Sequence, residues 1–107
     1  MSQPVELDPE LRTQVEAQAF RTLLEHLQRH PEVQNIDLMN LGYFCRNCLS
    51  KWYVAAARDH GAEVDYDQAR EIVYGMPYSE YKKTHQEPAS PEQLAALKEA
   101  ETKATKP

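Results

Sequence analysis

The chain contains 107 residues, of which 41% are hydrophobic, so it can form one small core and is predicted to be a single domain. Its formal net charge is −5 and its basic residues are scattered among carboxylates, so no basic surface favours binding to nucleic acid. No apolar run is long enough to span a bilayer, and residues 1–11 lack the apolar stretch of a secretory leader. We therefore expect a cytosolic protein with reduced thiols and no membrane partner.

The first predicted helix begins at Asp8, whose side chain is a good N-cap, and Pro9 suits the first helical position because it lacks an N–H. Apolar residues then recur at steps of three and four from Leu11 to Leu27, which predicts one apolar stripe. The helix is expected to run to about His30 and to stop at Pro31.

A second helix is predicted to start at Asp37 and to continue without a break to Gly61, which ends it in a left-handed conformation. Its main apolar face contains Leu38, Leu41, Cys45, Cys48, Leu49, Trp52, Ala55 and Ala56. A weaker stripe on the other side contains Met39, Tyr43, Ser50 and Val54. Apolar residues on two sides predict a central core helix, folded back antiparallel on the first.

Three further start signals follow along the chain. Asp65 and Gln68 form a capping-box pair for a short helix that ends at Gly75, and Pro77 opens another short helix. A last, marginal helix begins around Ser90, and residues 101–107 are expected to be disordered. The prediction is an all-α fold, a small irregular helical bundle of about four to five helices. It divides into a flexible N-terminus (1–7), one helical domain (8–88), and a C-terminal helix with a disordered tail (89–107).

Cys45 and Cys48 are the chain's two cysteines, and on a helix their spacing places them on nearly the same side. The favoured interpretation is that both are small apolar core residues, since free cysteine is commonly buried. A redox pair normally places its first thiol at a helix N-terminus, where backbone donors lower the thiol pKa. In the predicted helix Cys45 lies eight residues beyond the Asp37 cap, which argues against a redox role.

Zinc binding is a further alternative, because a tetrahedral site needs four nitrogen or sulfur ligands. His26 and His30 lie one turn apart, and an antiparallel helix pair could bring them to Cys45 and Cys48. His60 and His85 are alternative ligands near predicted turns. Without such a metal, His26 and His30 are expected on the helix surface or at its cap.

Polar and aromatic residues around the cysteines suggest a contact surface. Arg46, Asn47, Lys51 and Arg58 could bind an anion, although an exposed face paired with glutamates is favoured. The segment YGMPYSEY could line a pocket or an interface, but a rigid turn pinned to the core is favoured. The candidate binding residues are Tyr43, Cys45, Arg46, Asn47, Cys48, Trp52, Tyr78 and Tyr81.

The runs VQNIDLMNLGYFCRNCLSKWY and REIVYGMPYSEYK strongly resemble the short bacterial proteins grouped as domain of unknown function 1244. The resemblance covers about residues 8–88 and includes both cysteines. It implies an all-helical fold and a cytosolic bacterial source, and it supplies no activity.

From the residues, we expect a non-enzymatic binding or regulatory module with a protein partner, in the first place a second copy of the chain. The homodimer is inferred from the second apolar stripe and the weakly anchored last helix. A zinc-binding or thiol-dependent protein centred on the two cysteines is the alternative, and the sequence leaves open whether the protein is an enzyme.

Overall fold

The computed structural model describes residues 6–104, and within this range the chain is all-helical, with no strand. The all-α prediction is therefore confirmed. The helices are α1 (Pro9–Gln28), α2 (Asn35–Gly42), α3 (Arg46–Asp59), α4 (Tyr66–Tyr74), α5 (Tyr78–Thr84) and α6 (Pro91–Lys103). Six helices rather than four or five are found because the predicted second helix is two helices, α2 and α3. None of the helices in residues 6–104 is both long and apolar enough to cross a membrane.

Helix α1 begins as predicted. The Asp8 carboxylate accepts hydrogen bonds from the backbone N–H groups of Glu10 and Leu11, at 3.0 and 3.3 Å. The last helical residue is Gln28, and Arg29 is the C-cap, two residues before Pro31. Leu24 and Leu27 of the apolar stripe are buried, so the C-terminal half of this helix supplies core side chains.

The prediction of one continuous helix from Asp37 to Gly61 is wrong. Helix α2 ends at Gly42, Tyr43 adopts a left-handed conformation with φ of 61°, and Cys45 is extended. Glycine is a poor helix former, which favours a helix end at Gly42. The break also lets Asn35 accept a hydrogen bond from the backbone N–H of Arg46 at 3.2 Å, which caps the new helix.

The core lies between α1, α3, α4 and α5. Helix α4 packs against α1, α3 and α5, so α1 does not form the predicted antiparallel pair with a long second helix. The buried core residues are Leu24, Leu27, Leu49, Val73, Tyr74 and Tyr81. Leu41 and Trp52, which were expected inside, are 86% and 38% exposed. Both errors follow from the break, because the residues on either side of it belong to separate helices, of which α2 packs on α6 and α3 packs on α4.

Helix α6 starts as predicted at the Ser90 capping box and packs on α2. The side-chain amide of Gln93 donates to Asp37 at 2.9 Å, and Ala100 is buried. The helix continues to Lys103, so the disorder expected from residue 101 does not begin there, and residues 105–107 lie outside the described part, as do residues 1–5 of the predicted flexible N-terminus. Because α6 has a partner within the chain, one of the two observations behind the predicted homodimer no longer supports it. The homodimer itself stays a prediction.

Candidate dithiol site

The two cysteines lie at the N-terminus of α3. Cys45 is the N-cap residue and Cys48 is the third residue of the helix. Both are reduced, and their sulfur atoms are 3.6 Å apart. A disulfide has an S–S distance of about 2.05 Å, so the sulfurs need to approach by only about 1.5 Å to form one. Cys45 is buried and Cys48 is half-buried.

Two opposing effects act on the Cys45 thiol. Burial, the larger effect, raises its pKa above the ordinary value of 9.0, because a thiolate loses solvation in the interior. The backbone N–H groups of Cys48 and Asn47 lower the pKa, since they point from the free helix end toward the sulfur. The neighbouring Cys48 adds to the rise. The net pKa is raised, so the thiol form predominates at neutral pH.

Arg46 lies between the two cysteines in the sequence, and it is only 2% exposed. Its guanidinium donates to the backbone oxygens of Val33 at 2.7 Å and His30 at 3.0 Å, and to the side chain of Asn35 at 3.1 Å. The ring of Tyr81 lies 5.5 Å from the guanidinium carbon. The charge is therefore satisfied by carbonyl dipoles and an aromatic face. For Arg46, the favoured prediction of an exposed residue paired with glutamates is wrong, and the buried guanidinium is not available to bind an anion either.

A side-chain network connects α2, α3 and α4 beside the cysteines. The Tyr74 hydroxyl donates to the side-chain oxygen of Asn47 at 2.7 Å and accepts from the amide of Asn35 at 2.9 Å. Burial raises the pKa of Tyr74 far above its ordinary value of 10.0, so the hydroxyl stays protonated and can donate. This network holds the first turn of α3, and with it the dithiol, against the core.

A cavity of about 380 Å³ opens beside Cys45, between α2, the segment before α6, and α6 itself. Its walls combine apolar side chains such as Ile36, Met39 and Leu97 with polar ones, including Asn47 and Glu87. Sequence reasoning had associated none of the α6 residues with the cysteines. The cavity depends on the packing of α6 against α2, which brings residues more than 40 positions apart in the sequence to one place.

The other predicted binding residues do not form one surface. Tyr43 is 39% exposed at the break, with the Lys103 ammonium 5.7 Å from its ring centre, and Trp52 is stacked on Phe44 at 6.3 Å. Tyr78 lines the cavity. Tyr81 is buried, and its hydroxyl has no hydrogen-bond partner in the described chain. The rigid turn favoured for this segment is consistent with that burial.

The structure does not assemble the predicted zinc ligands. Within residues 6–104, no three His, Cys, Asp or Glu side chains lie close enough together to hold a metal ion. His26 and His30 are in contact with ring centres 4.7 Å apart and their planes tilted by 51°, and His30 Nδ1 lies 2.9 Å from a Glu32 carboxylate oxygen. The histidine pair and the cysteine pair are thus two separate clusters. The reason is again the break. The prediction placed the cysteines on one long helix paired with α1, whereas they lie at the start of α3, which packs on α4.

Sequence reasoning missed several residues that shape the site. Asn35 caps α3 and binds Arg46, and Tyr74 holds Asn47. Gln34 donates to the backbone oxygen of His85 at 2.9 Å and accepts from the Glu87 N–H at 2.9 Å, which fixes one wall of the cavity. The sequence signals for these contacts are weak: Gln34 and Asn35 are two adjacent amide residues at the start of α2, in the segment predicted to be a linker, and Tyr74 belongs to the segment YGMPYSEY.

Comparison with known proteins gives a family and no activity. No curated protein matches the chain. The family model described as "Protein of unknown function (DUF1244)" matches residues 33–99, which include both cysteines, Arg46, the Tyr74 network and every residue named above as lining the cavity. The match spans more than half of the chain and agrees with the resemblance seen in the sequence. The chain therefore belongs to the DUF1244 family of proteins of unknown function.

Proposed function

We propose that this protein is a thiol–disulfide exchange protein in which Cys45 and Cys48 form the redox-active dithiol. The observation that carries the proposal is the position of the pair: Cys45 is the N-cap of α3, Cys48 is on the first turn, and the sulfurs are 3.6 Å apart. The non-enzymatic binding module expected from the sequence depended on both thiols lying in the middle of a continuous helix. With that helix broken, the thiol-dependent alternative has the stronger support.

The proposed reaction begins when the Cys45 thiolate attacks one sulfur of a substrate disulfide RS–SR. The S–S bond breaks, RS⁻ leaves and takes a proton from solvent, and a mixed disulfide remains on Cys45. Cys48 then loses its proton and attacks the Cys45 sulfur, which releases the second RSH. Two electrons pass from the dithiol to the substrate, two thiols are formed, and Cys45 and Cys48 end as a disulfide.

Two features support the roles that we propose for the cysteines. Cys45 lines the cavity, so a small disulfide reaches it there, and the N–H groups of the first turn stabilise its thiolate. Cys48 lies within 3.6 Å and is placed to resolve the mixed disulfide. Since burial raises the Cys45 pKa, exchange is expected to be slow at neutral pH and to accelerate as the pH rises. A dithiol of this kind suits a reducing compartment such as the cytosol.

A redox titration tests the proposal. The full chain is equilibrated in mixtures of reduced and oxidised glutathione, and in dithiothreitol mixtures for the lowest potentials. Free thiols are trapped with iodoacetamide, and intact mass counts the labels. We expect a two-electron transition with a midpoint between about −270 and −120 mV, the range of known exchange proteins. Failure to form an intramolecular disulfide, or a midpoint below about −300 mV as in structural disulfides, overturns the proposal. Cys48→Ser should accumulate the mixed disulfide on Cys45, because the resolving thiol is absent.

A further inference from the structure

The cavity beside Cys45 has the size of a site for a small molecule. At about 380 Å³ it is near the lower end of the range of small-molecule sites, roughly 300–1,000 Å³. Cys45 lies in one wall, and Ile36, Met39, Pro88 and Leu97 provide apolar surface. A ligand that fits has a short aliphatic part that places a sulfur atom against Cys45. This volume suits a small molecule better than the loop of a folded protein.

The charge of the cavity wall further restricts the class of ligand that we expect. Glu87 is the one charged residue among the described residues that line the cavity. Its backbone N–H is held by Gln34 at 2.9 Å, and the Gln34 amide also binds the His85 carbonyl at 2.9 Å, so the segment that carries Glu87 is fixed to α2. The Glu87 side chain itself is exposed, and a carboxylate at the open side of the cavity favours a positively charged group and repels an anion. The net charge of −5 on the chain acts in the same direction at longer range.

The thiol itself favours the same ligand charge. The reacting form of Cys45 is a thiolate, and no Lys or Arg is among the described residues that line the cavity beside it. The Arg46 guanidinium, although next in sequence, is engaged with the carbonyls of Val33 and His30. A ligand that carries an ammonium group places a positive charge near the Cys45 thiolate and thereby stabilises it.

We infer that the cavity binds small amine-bearing disulfides, of the class formed by two aminothiols, as the substrates of the Cys45–Cys48 dithiol. This inference rests on the proposed exchange function and adds the substrate class. The ammonium group lies toward Glu87, the aliphatic carbons contact the apolar wall, and the disulfide meets Cys45. The products are two aminothiols and the oxidised dithiol, with the same transfer of two electrons described above.

Three probe disulfides of similar length test the charge preference. Cystamine carries two ammonium groups, bis(2-hydroxyethyl) disulfide is neutral, and 3,3′-dithiodipropionate carries two carboxylates. The rate of oxidation of the reduced, full-length protein is measured with each, and each rate is divided by that of the same chain unfolded in urea to remove intrinsic reactivity. The expected order is cystamine, then the neutral probe, then the dianion, with about tenfold between the extremes.

Glu87→Gln and Glu63→Gln form a matched pair that separates local from overall charge. Both remove one negative charge, but Glu63 lies beyond the C-terminal end of the 14-residue α3, about 20 Å along the helix from Cys45. Glu87→Gln should reduce the cystamine preference about threefold, as expected for one partly screened charge. Glu63→Gln should leave it unchanged. Equal effects of the two variants overturn the assignment of Glu87.

The remaining outcomes distinguish the substrate class from the exchange function. Oxidation at rates that do not depend on probe charge overturns the inference and leaves the exchange proposal in place. Failure of all three probes to form the intramolecular disulfide in the folded protein overturns both. Ala89→Trp should narrow the cavity and slow all three probes at least fivefold, whereas Ala96→Trp, on the exposed side of α6, should not. Unchanged rates in Ala89→Trp would place the reaction outside the cavity.

Discussion

The Nη1 atom of Arg46 lies 2.7 Å from the backbone oxygen of Val33, so a side chain from the first turn of α3 fixes the connection between α1 and α2. The same guanidinium reaches the His30 carbonyl at 3.0 Å. These bonds join the residue next to Cys45 to a part of the chain thirteen positions or more away. The dithiol is therefore positioned by the tertiary fold as well as by its own helix.

Arg46→Lys is predicted to lower the free energy of unfolding by about 3 kcal/mol, because a lysine ammonium cannot reach both carbonyls and remains a buried, poorly solvated charge. Arg58→Lys is the matched control: it makes the same change on the exposed end of α3 and should cost less than about 0.5 kcal/mol. Urea denaturation of both variants measures the difference. A loss of similar size at the two positions would contradict the role given to Arg46.

Tyr74→Phe is predicted to destabilise the fold by about 1–2 kcal/mol, since Asn35 and Asn47 both lose a partner. Tyr81→Phe is its control, because Tyr81 is equally buried and its hydroxyl lacks a partner in residues 6–104. That change should be neutral or slightly stabilising. The comparison requires only equilibrium unfolding curves, and equal losses in both variants would argue against a network centred on Tyr74.

Alkaline pH is predicted to destabilise the protein. Burial raises the pKa of Tyr74 and Tyr81 above 10.0, and that of Cys45 above 9.0, in the folded chain. The folded state thus holds these protons more tightly than the unfolded chain, and unfolding releases them. The contribution of each group is complete below its ordinary pKa and is lost as the pH rises through the folded value.

Urea midpoints measured between pH 7 and 11 test this dependence. They should stay nearly constant up to about pH 8.5 and then decrease, since thiols and phenols begin to ionise in the unfolded state there. Tyr74→Phe should decrease less steeply than the parent chain above pH 10, because one of the linked groups is gone. A midpoint that rises with pH would show that the folded-state pKa values are lowered instead.

Local signals in the sequence correctly predicted the ends of most helices. Asp8 caps α1, Asp65 with Gln68 caps α4, Gly61 is left-handed as expected, and Gly75 ends α4 as expected. These are interactions between residues a few positions apart, so the sequence carries them directly. The break at Tyr43 has one weak local signal, Gly42, and is otherwise held by a long-range interaction, the insertion of Arg46 among the carbonyls before α2. The periodicity of an apolar stripe contains no information about such a long-range contact.

The sequence identified the two cysteines of the candidate site, but it did not predict how they are arranged. The sequence drew attention to Cys45 and Cys48, but it placed them inside a helix, where a core role was the better interpretation. The second apolar stripe, which predicts a central helix, is better explained by two separate helices that pack on different partners, α2 on α6 and α3 on α4. Asn35 and Glu87 reach the site through tertiary packing alone, and no local pattern identifies such contacts.

The break itself can be tested with a pair of substitutions at Tyr43. Both Tyr43→Gly and Tyr43→Ala remove the side chain, but only glycine adopts φ of 61° without steric cost. If Tyr43 is left-handed, the glycine variant should be more stable than the alanine variant by about 1 kcal/mol. In a continuous helix the order reverses, with alanine more stable by about 1 kcal/mol. Thermal or urea unfolding of the two proteins decides the sign, and an alanine advantage would return Cys45 to the middle of a helix and remove the basis for a redox-active dithiol.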